Sequence, residues 1–221
     1  MYAIALEQRP QASRLMMAAT PPLAVVLTLI AGAALFAAMG YDPVAALKAY
    51  FITPVSSLRG VGELLVKATP LITIAVGLAV GFRAGVWNIG AEGQLTLGAI
   101  CGGGVALAFY GEGGPWLLPL MIAAGVSGGM AWAAIPAFLR TRFNANEILV
   151  SLMLTYVATL LLSYLAHGPY RDPDGFAFPE SRLFEEWALY PTLIGGTRAH
   201  LGLVFALAAA AAAWVLLTRL F

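Results

Sequence analysis

Five stretches of this chain, residues 15–41, 93–111, 113–139, 148–170 and 199–218, contain no Asp, Glu, Lys or Arg. About 20 apolar residues at helical rise cover a hydrocarbon core of about 30 Å, and these runs reach or approach that length. A sixth run, residues 68–82, holds only 15 residues and extends to Ala91 only if Arg83 is accommodated near the membrane. Inside a bilayer every backbone polar group needs an internal partner, so all six are read as helices rather than barrel strands. The expected fold class is all-α: a polytopic transmembrane helical bundle of about six spans, forming a single domain over residues 1–221. The shortness of the 68–82 run is the anomaly.

The charge balance narrows the partners. Of the 221 residues, 61% are apolar and 10% charged, where soluble domains carry about 25% charged residues. Twelve Lys and Arg stand against eleven Asp and Glu, which leaves no basic face from which counterion release would drive nucleic-acid binding. The lipid bilayer is the partner implied, and no nucleic acid is expected. The single cysteine, Cys101, cannot form an intrachain disulfide. His167 and His200 lie 33 residues apart without a third nearby ligand, so no metal site is expected. No cofactor is expected either.

The first run follows Arg9 and Arg14. It far exceeds the roughly 7 to 15 residues of a signal-peptide core and is read as an uncleaved anchor. Pro21 and Pro22 are expected to start or kink its helix. Lys and Arg concentrate in cytoplasmic loops. A cytoplasmic N-terminus and six crossings place Arg9, Arg14, Arg140, Arg142 and Arg219 inside. The connection 167–200 then faces out with three arginines against five acids, as either a docking surface or a plain solvated connector. Segment 42–67, also outside, carries Val44, Leu47, Phe51 and Ile52 at near-helical spacing. That pattern fits a short interfacial helix or a connecting loop.

Small residues recur at four-residue intervals: Gly77, Gly81 and Gly85, then Gly98 and Gly102, then Gly125 and Gly129. The hydrophobic effect does not drive helices together in lipid, so close approach through such ridges is a main source of packing energy. A tight bundle is expected. The GEGG run at residues 111–114 is expected to turn between the third and fourth spans.

Polar chemistry concentrates in two places. GFRAGVWNIGAEGQ, residues 81–94, sets Arg83, Trp87, Asn88, Glu92 and Gln94 among glycines. An ionised residue at the bilayer centre costs about 3 kcal/mol, so Arg83 and Glu92 must be paired, solvated by a cavity or near a surface. In a helical reading Asn88 and Glu92 lie one turn apart on one face. Glycines 85, 90 and 93 lower helical persistence. They point to a broken or re-entrant helix near residues 83–94 that lines a watery path, which also accounts for the short span. The plainer reading is a cytoplasmic loop with Glu92 capping the next helix. The second place is RTRFNANEILVSLMLTYVATLL, residues 140–161, where Glu147 follows Asn144 by three positions, close to a capping box. Asn144, Asn146 and Glu147 are read as cytoplasmic-loop and helix-cap residues. Asn146, Ser151, Thr155 and Tyr156 are also candidates to face a polar pathway.

The stretch ATPLITIAVGLAVGFRAGVWNIGAEGQLTLGA, residues 68–99, resembles the signature region of ABC-transporter permeases of the branched-chain amino acid and sugar class. Within that class it is most similar to nucleoside-type permeases, whose motif is close to FRAGLFNIGAEGQ. FNANEILVSLMLTYVATLL is similar to the same family's cytoplasmic-loop and helix motif, usually NE followed by an apolar run with MLNY. Thr155 stands where that family usually has Asn. The resemblance runs from Arg9 to the C-terminus, and family members continue through further spans, so the chain is expected to be the N-terminal part of a longer permease. It implies a membrane-spanning subunit of an ATP-driven importer for nucleosides or related small polar solutes. Sugars and branched-chain amino acids are the alternatives within the class. The implied location is a bacterial-type plasma (inner) membrane, multi-pass. The implied partners are a second permease subunit, cytoplasmic ATP-binding subunits and an extracytoplasmic solute-binding protein. Arg83, Trp87, Asn88, Glu92 and Gln94 are then assigned to the substrate pathway or its gate, with Trp87 as a stacking surface.

The sequence has no phosphate-binding loop: Lys48 and Lys67, its only lysines, follow Leu47 and Val66 rather than glycine. ATP hydrolysis is expected on a separate chain, and this chain is not expected to be an enzyme. Two rival classes remain. Gly125-Val126-Ser127-Gly128-Gly129 matches GxSxG, the pattern of a rhomboid-like intramembrane serine protease. Its serine needs a histidine within reach, yet His167 and His200 are expected at span ends, about 12 Å from the middle of a helix. Ser127 is therefore read as a packing residue. A passive channel, needing no partners, is the other rival.

Overall fold

The computed structural model describes residues 13–175 and 178–219, so Arg9 and the chain end at Leu220 and Phe221 lie outside the described residues. The chain divides into two compact units, Met1–Leu64 and Leu65–Phe221.

In the first unit, α1 spans Arg14–Ala38 and contains both Pro21 and Pro22, so neither proline starts the helix. It ends where Gly40 takes φ +82°. There Gly40 N–H donates to the Ala37 carbonyl and Tyr41 N–H to the Phe36 carbonyl, which satisfies the last carbonyls of the helix. Asp42 then starts α2, Pro43–Phe51, by accepting from Val44 N–H at 2.9 Å, with Pro43 at the first helical position. The choice between short helix and loop is thus settled in favour of the helix. Val44, Leu47, Phe51 and Ile52 line an apolar groove of about 790 Å³ with Val25 and Leu29 of α1.

A 3-10 turn, Thr53–Val55, leads to α3, Leu58–Arg83. The 68–82 run is therefore no short span: its helix has 26 residues and begins ten positions earlier. The charges that hid its start, Arg59, Glu63 and Lys67, recur every four residues, a spacing that places opposite signs on one helical stripe and supports the helix instead of ending it. Ser57 Oγ accepts from Gly60 N–H at 3.1 Å and caps the new start.

The second unit adds α4, Ala91–Ala108; α5, Leu117–Phe143; α6, Glu147–His167; and α7, Gly202–Arg219, with a 3-10 turn at Glu186–Ala188 before α7. Among the described residues, five helices, α1, α3, α5, α6 and α7, are long and apolar enough to cross a membrane. The remaining expected run, residues 93–111, coincides with α4. α4 has 18 residues, with Glu92 in its first turn, and packs against both α5 and α6. It buries Leu97, Ile100 and Ala106. Leu97 and Ile100 join Ala158 of α6, with Trp132 of α5 packed beside them. Ala106 joins Leu117 of α5 and Ala188 of the 3-10 turn.

Backbone proximity explains this arrangement. A Cβ placed on Gly98 would lie 3.0 Å from the Gly125 carbonyl oxygen, and one on Gly125 would lie 3.2 Å from that of Gly98. Gly102 meets Met121 O at 3.0 Å and Gly129 meets Gln94 O at 3.2 Å in the same way. The ridges at 98/102 and 125/129 are therefore the α4–α5 seam. The ridge at 77/81/85 is not a seam among the described residues: Gly77 has nothing within 4 Å, and Gly81 meets only Val86 O of its own helix end. The GEGG turn does connect α4 to α5, with Gly111 at φ +84° and its N–H donating to Glu185 Oε1 at 3.2 Å.

These contacts give an expected asymmetry. Gly125→Val should force α4 and α5 apart and destabilise the bundle by about 1–3 kcal/mol. Gly77→Ala should be neutral or stabilising by up to about 1 kcal/mol. Thermal unfolding of the two variants in detergent checks both; equal melting temperatures would remove the seam assignment.

Candidate functional site

The site grows from the break between α3 and α4. Gly85 takes φ +74° and lets the chain leave α3: its N–H donates to Phe82 O at 3.1 Å, and Val86 N–H donates to Gly81 O at 2.9 Å. Residues 84–90 are non-helical and separate α3 from α4. The placement of Asn88 and Glu92 on one helical face is corrected, because Asn88 lies outside the helix. Asn88 Oδ1 instead accepts from Gly90 N–H at 2.9 Å, folding the chain into the start of α4. Gly90 and Gly93 are small for a steric reason. A Cβ on Gly90 would lie 2.8 Å from Ser151 Cβ, and one on Gly93 would lie 2.9 Å from Thr155 Cα.

Asn88 and Gln94 form a reciprocal amide pair. Asn88 Nδ2 donates to Gln94 Oε1 at 3.0 Å, and Gln94 Nε2 donates to Asn88 Oδ1 at 3.2 Å. Trp87 stands beside them, 58% exposed, its ring 5.2 Å from that of Phe82. Trp87, Asn88 and Gln94 face a cavity of about 450 Å³. Its other walls include Ala133, Pro136, Arg140 and Thr141 of α5, and Glu147 and Ser151 of α6. Ser151 is 2% exposed and donates to Ile148 O at 3.2 Å.

The turn between α5 and α6 differs from a capping box. Asn144 ends α5 in the left-handed region, φ 52°, and its N–H donates to Arg140 O at 3.0 Å. Asn146 is the N-cap of α6, accepting from Ile148 N–H at 3.0 Å and Leu149 N–H at 3.4 Å. Glu147 does not reach back to Asn144; it pairs with Arg140, Arg Nε to Oε2 at 3.3 Å. The predicted caps are thus divided: one asparagine stops a helix, the next starts one, and the glutamate turns to the cavity.

The structure brings together Trp87, Asn88, Gln94 and Glu147 around one space, and leaves Arg83, Glu92, Asn144 and Asn146 off its walls. Glu92 lies exposed in the first turn of α4, where the helix dipole favours an acid. Thr155 spends its hydroxyl on Ser151 O at 3.1 Å, and Tyr156 is exposed away from the cavity walls. Arg140 is the residue that sequence reading missed: it served only as a topological marker, and its partner is visible only once the α5–α6 turn is built. Ser127 is exposed and donates to Ala124 O of its own helix at 3.0 Å.

Midway along α4, the chain after α6 makes contact. Tyr170 donates its hydroxyl to Ile100 O at 3.2 Å. Burial, with Cys101 adding to it, raises the Tyr170 hydroxyl above its ordinary range and keeps it a donor. Arg182 reaches Asp172 at 3.5 Å and Asp174 at 3.6 Å and lies 5.0 Å over the Tyr110 ring.

An all-helical chain with, among the described residues, five helices long and apolar enough to cross a membrane is a multi-pass membrane protein. Residues 60–220 match the family described as branched-chain amino acid transport system / permease component, and the chain belongs to that family. It is 40% identical over 210 residues to the glucose ABC transporter permease protein of Haloferax volcanii, covering 90% of this chain and 55% of that protein. It is 30% identical to the guanosine ABC transporter permease protein of Bacillus subtilis, covering 90% of this chain and 57% of that one. A nucleoside ABC transporter permease protein of Lactococcus lactis is 30% identical over 68% of this chain and 42% of its own length. The chain thus spans little more than half the length of the first two relatives. No solved structure matches.

The caps make a prediction independent of transport. Asn146→Ala should cost about 1 kcal/mol of stability through the lost N-cap, whereas Asn144→Gly should cost nothing or stabilise, since glycine accepts the left-handed region freely. Chemical unfolding in detergent measures both, and a loss confined to Asn144→Gly would reinstate the capping box.

Proposed function

We propose that this chain forms part of the solute path of an ATP-driven importer, with Trp87, Asn88 and Gln94 on the path or its gate and Arg83 and Glu92 flanking it. The observation that carries the reading is the Asn88–Gln94 amide pair facing a 450 Å³ cavity beside an aromatic ring. Amides supply donors and acceptors without charge, and an aromatic ring suits the flat face of a base or a sugar. Relatives named for glucose, guanosine and nucleosides support a neutral solute carrying a sugar ring. Nucleosides remain the first substrate to test, sugars the second, and branched-chain amino acids the third.

In this reading the transporter lies in a bacterial-type inner membrane with the N-terminus of this chain in the cytoplasm. It works with a second permease subunit, cytoplasmic ATP-binding subunits and an extracytoplasmic solute-binding protein. ATP-driven closure of the partners rocks the bundle between states open to either side. Hydrolysis stays on the ATP-binding chains. The acidic outer segment 167–200 is the docking candidate for the binding protein, where rim charges act mainly on association rate.

Asn88→Leu or Gln94→Leu leaves the other amide unpaired, a loss of about 1–3 kcal/mol, and about 1.4 kcal/mol corresponds to tenfold. Uptake of labelled guanosine or glucose by cells carrying either variant should fall about tenfold while the chain still inserts in the membrane. Vanadate should block the uptake that remains, because a passive channel needs no ATP. Wild-type uptake in both variants would overturn the path assignment, and vanadate-insensitive uptake would overturn the importer.

A further inference from the structure

The α5–α6 turn is held without its ion pair. Asn144 closes α5 and Asn146 opens α6 through backbone bonds of their own. The Arg140–Glu147 pair is therefore free for another task, and both side chains stand on the wall of the cavity that holds the amide pair. Among the described residues they are the only charged ones lining it. Their side chains are 52% and 23% exposed, and a pair so open to water is weak enough to break and reform readily.

Resting on the reading that this cavity belongs to the solute path, we infer that Arg140 and Glu147 are its door and restrict it to uncharged, hydroxyl-bearing solutes. When paired, the two charges cancel and close the space between α5 and α6. An uncharged diol replaces the pair's bonds one for one: a hydroxyl oxygen accepts from the Arg140 guanidinium, and a neighbouring hydroxyl donates to the Glu147 carboxylate. A solute anion would occupy Arg140 and strand Glu147 beside a like charge, and a solute cation would do the reverse with Arg140. Selection against charge thus comes from the opposed pair, which the neutral amides alone cannot supply.

The door also moves with the amide site. Ser151, one turn along α6 from Glu147, abuts Gly90 so closely that a Cβ there would lie 2.8 Å from the Ser151 carbonyl oxygen. Gly90 in turn is bound to Asn88 Oδ1. A shift of the α6 start that parts Glu147 from Arg140 therefore presses on the residue that orients Asn88.

The test uses Ala133→Cys, a half-buried position on the cavity wall, in a full-length chain with Cys101→Ala, in native membranes. Cationic, anionic and neutral methanethiosulfonate reagents of matched size report access and charge preference. Parent membranes should favour the neutral reagent. Arg140→Glu should raise labelling by the cationic reagent, and Glu147→Arg that by the anionic one, each by about tenfold. The double swap should restore the parent pattern. Glu147→Gln, which keeps the shape, should shift preference toward the anionic reagent and covers the case in which a reversal does not fold. Unchanged labelling rates and charge preference in Glu147→Gln and in either folded reversal overturn the door. Normal uptake by Asn88→Leu and Gln94→Leu overturns the path reading instead, whatever the labelling shows.

Discussion

Contact between bare backbones along α4 is the constraint on which the rest of the second unit depends. Lipid gives apolar helices no incentive to associate, so cohesion has to come from close packing and from paired polar groups. Gly98 against Gly125, and Gly90 and Gly93 against Ser151 and Thr155, remove the side chains that would keep three helices apart. α4 is thereby clasped by α5 and α6, and Gln94 is fixed at the level of Asn88. A single added methyl group at these positions meets backbone atoms of the neighbouring helix: carbonyl oxygens at Gly98, Gly125 and Gly90, and the Thr155 Cα at Gly93.

Runs free of charge were enough to read the all-α class and the positions of α1, α5, α6 and α7, because membrane thickness sets their length directly. α3 was misread at its start, since Arg59, Glu63 and Lys67 look like a loop until their four-residue spacing is weighed. Glycine ridges were ambiguous for a different reason. The intervals at 77/81/85 and 98/102 are alike in sequence, and only the latter meets a partner among the described residues. Within the site, Trp87, Asn88 and Gln94 could be singled out as polar or aromatic residues in apolar surroundings, but their mutual geometry could not. It depends on a non-helical stretch from 84 to 90 that leaves Asn88 outside α4. Arg140 was out of sight because its bond to Glu147 crosses a turn shaped by a left-handed Asn144, a conformation that residue type permits without dictating.

Two kinds of neutrality meet at the cavity. The amides are uncharged by nature, and the ion pair is uncharged by cancellation. Together they offer hydrogen bonds of both senses and no net charge. Membership of the permease family gives this chemistry its setting.

Tyr170 fastens the far segment to Ile100 O of α4, and Phe184 comes within 3.3 Å of where a Gly103 Cβ would sit. From Gly103 to Gln94 is about 13.5 Å of uninterrupted helix at 1.5 Å per residue. A helix gripped along its flanks by carbonyl contacts has little slack with which to absorb a push. One helix thus carries both anchors: the loop is tied to its middle, and the amide pair sits at its first turn.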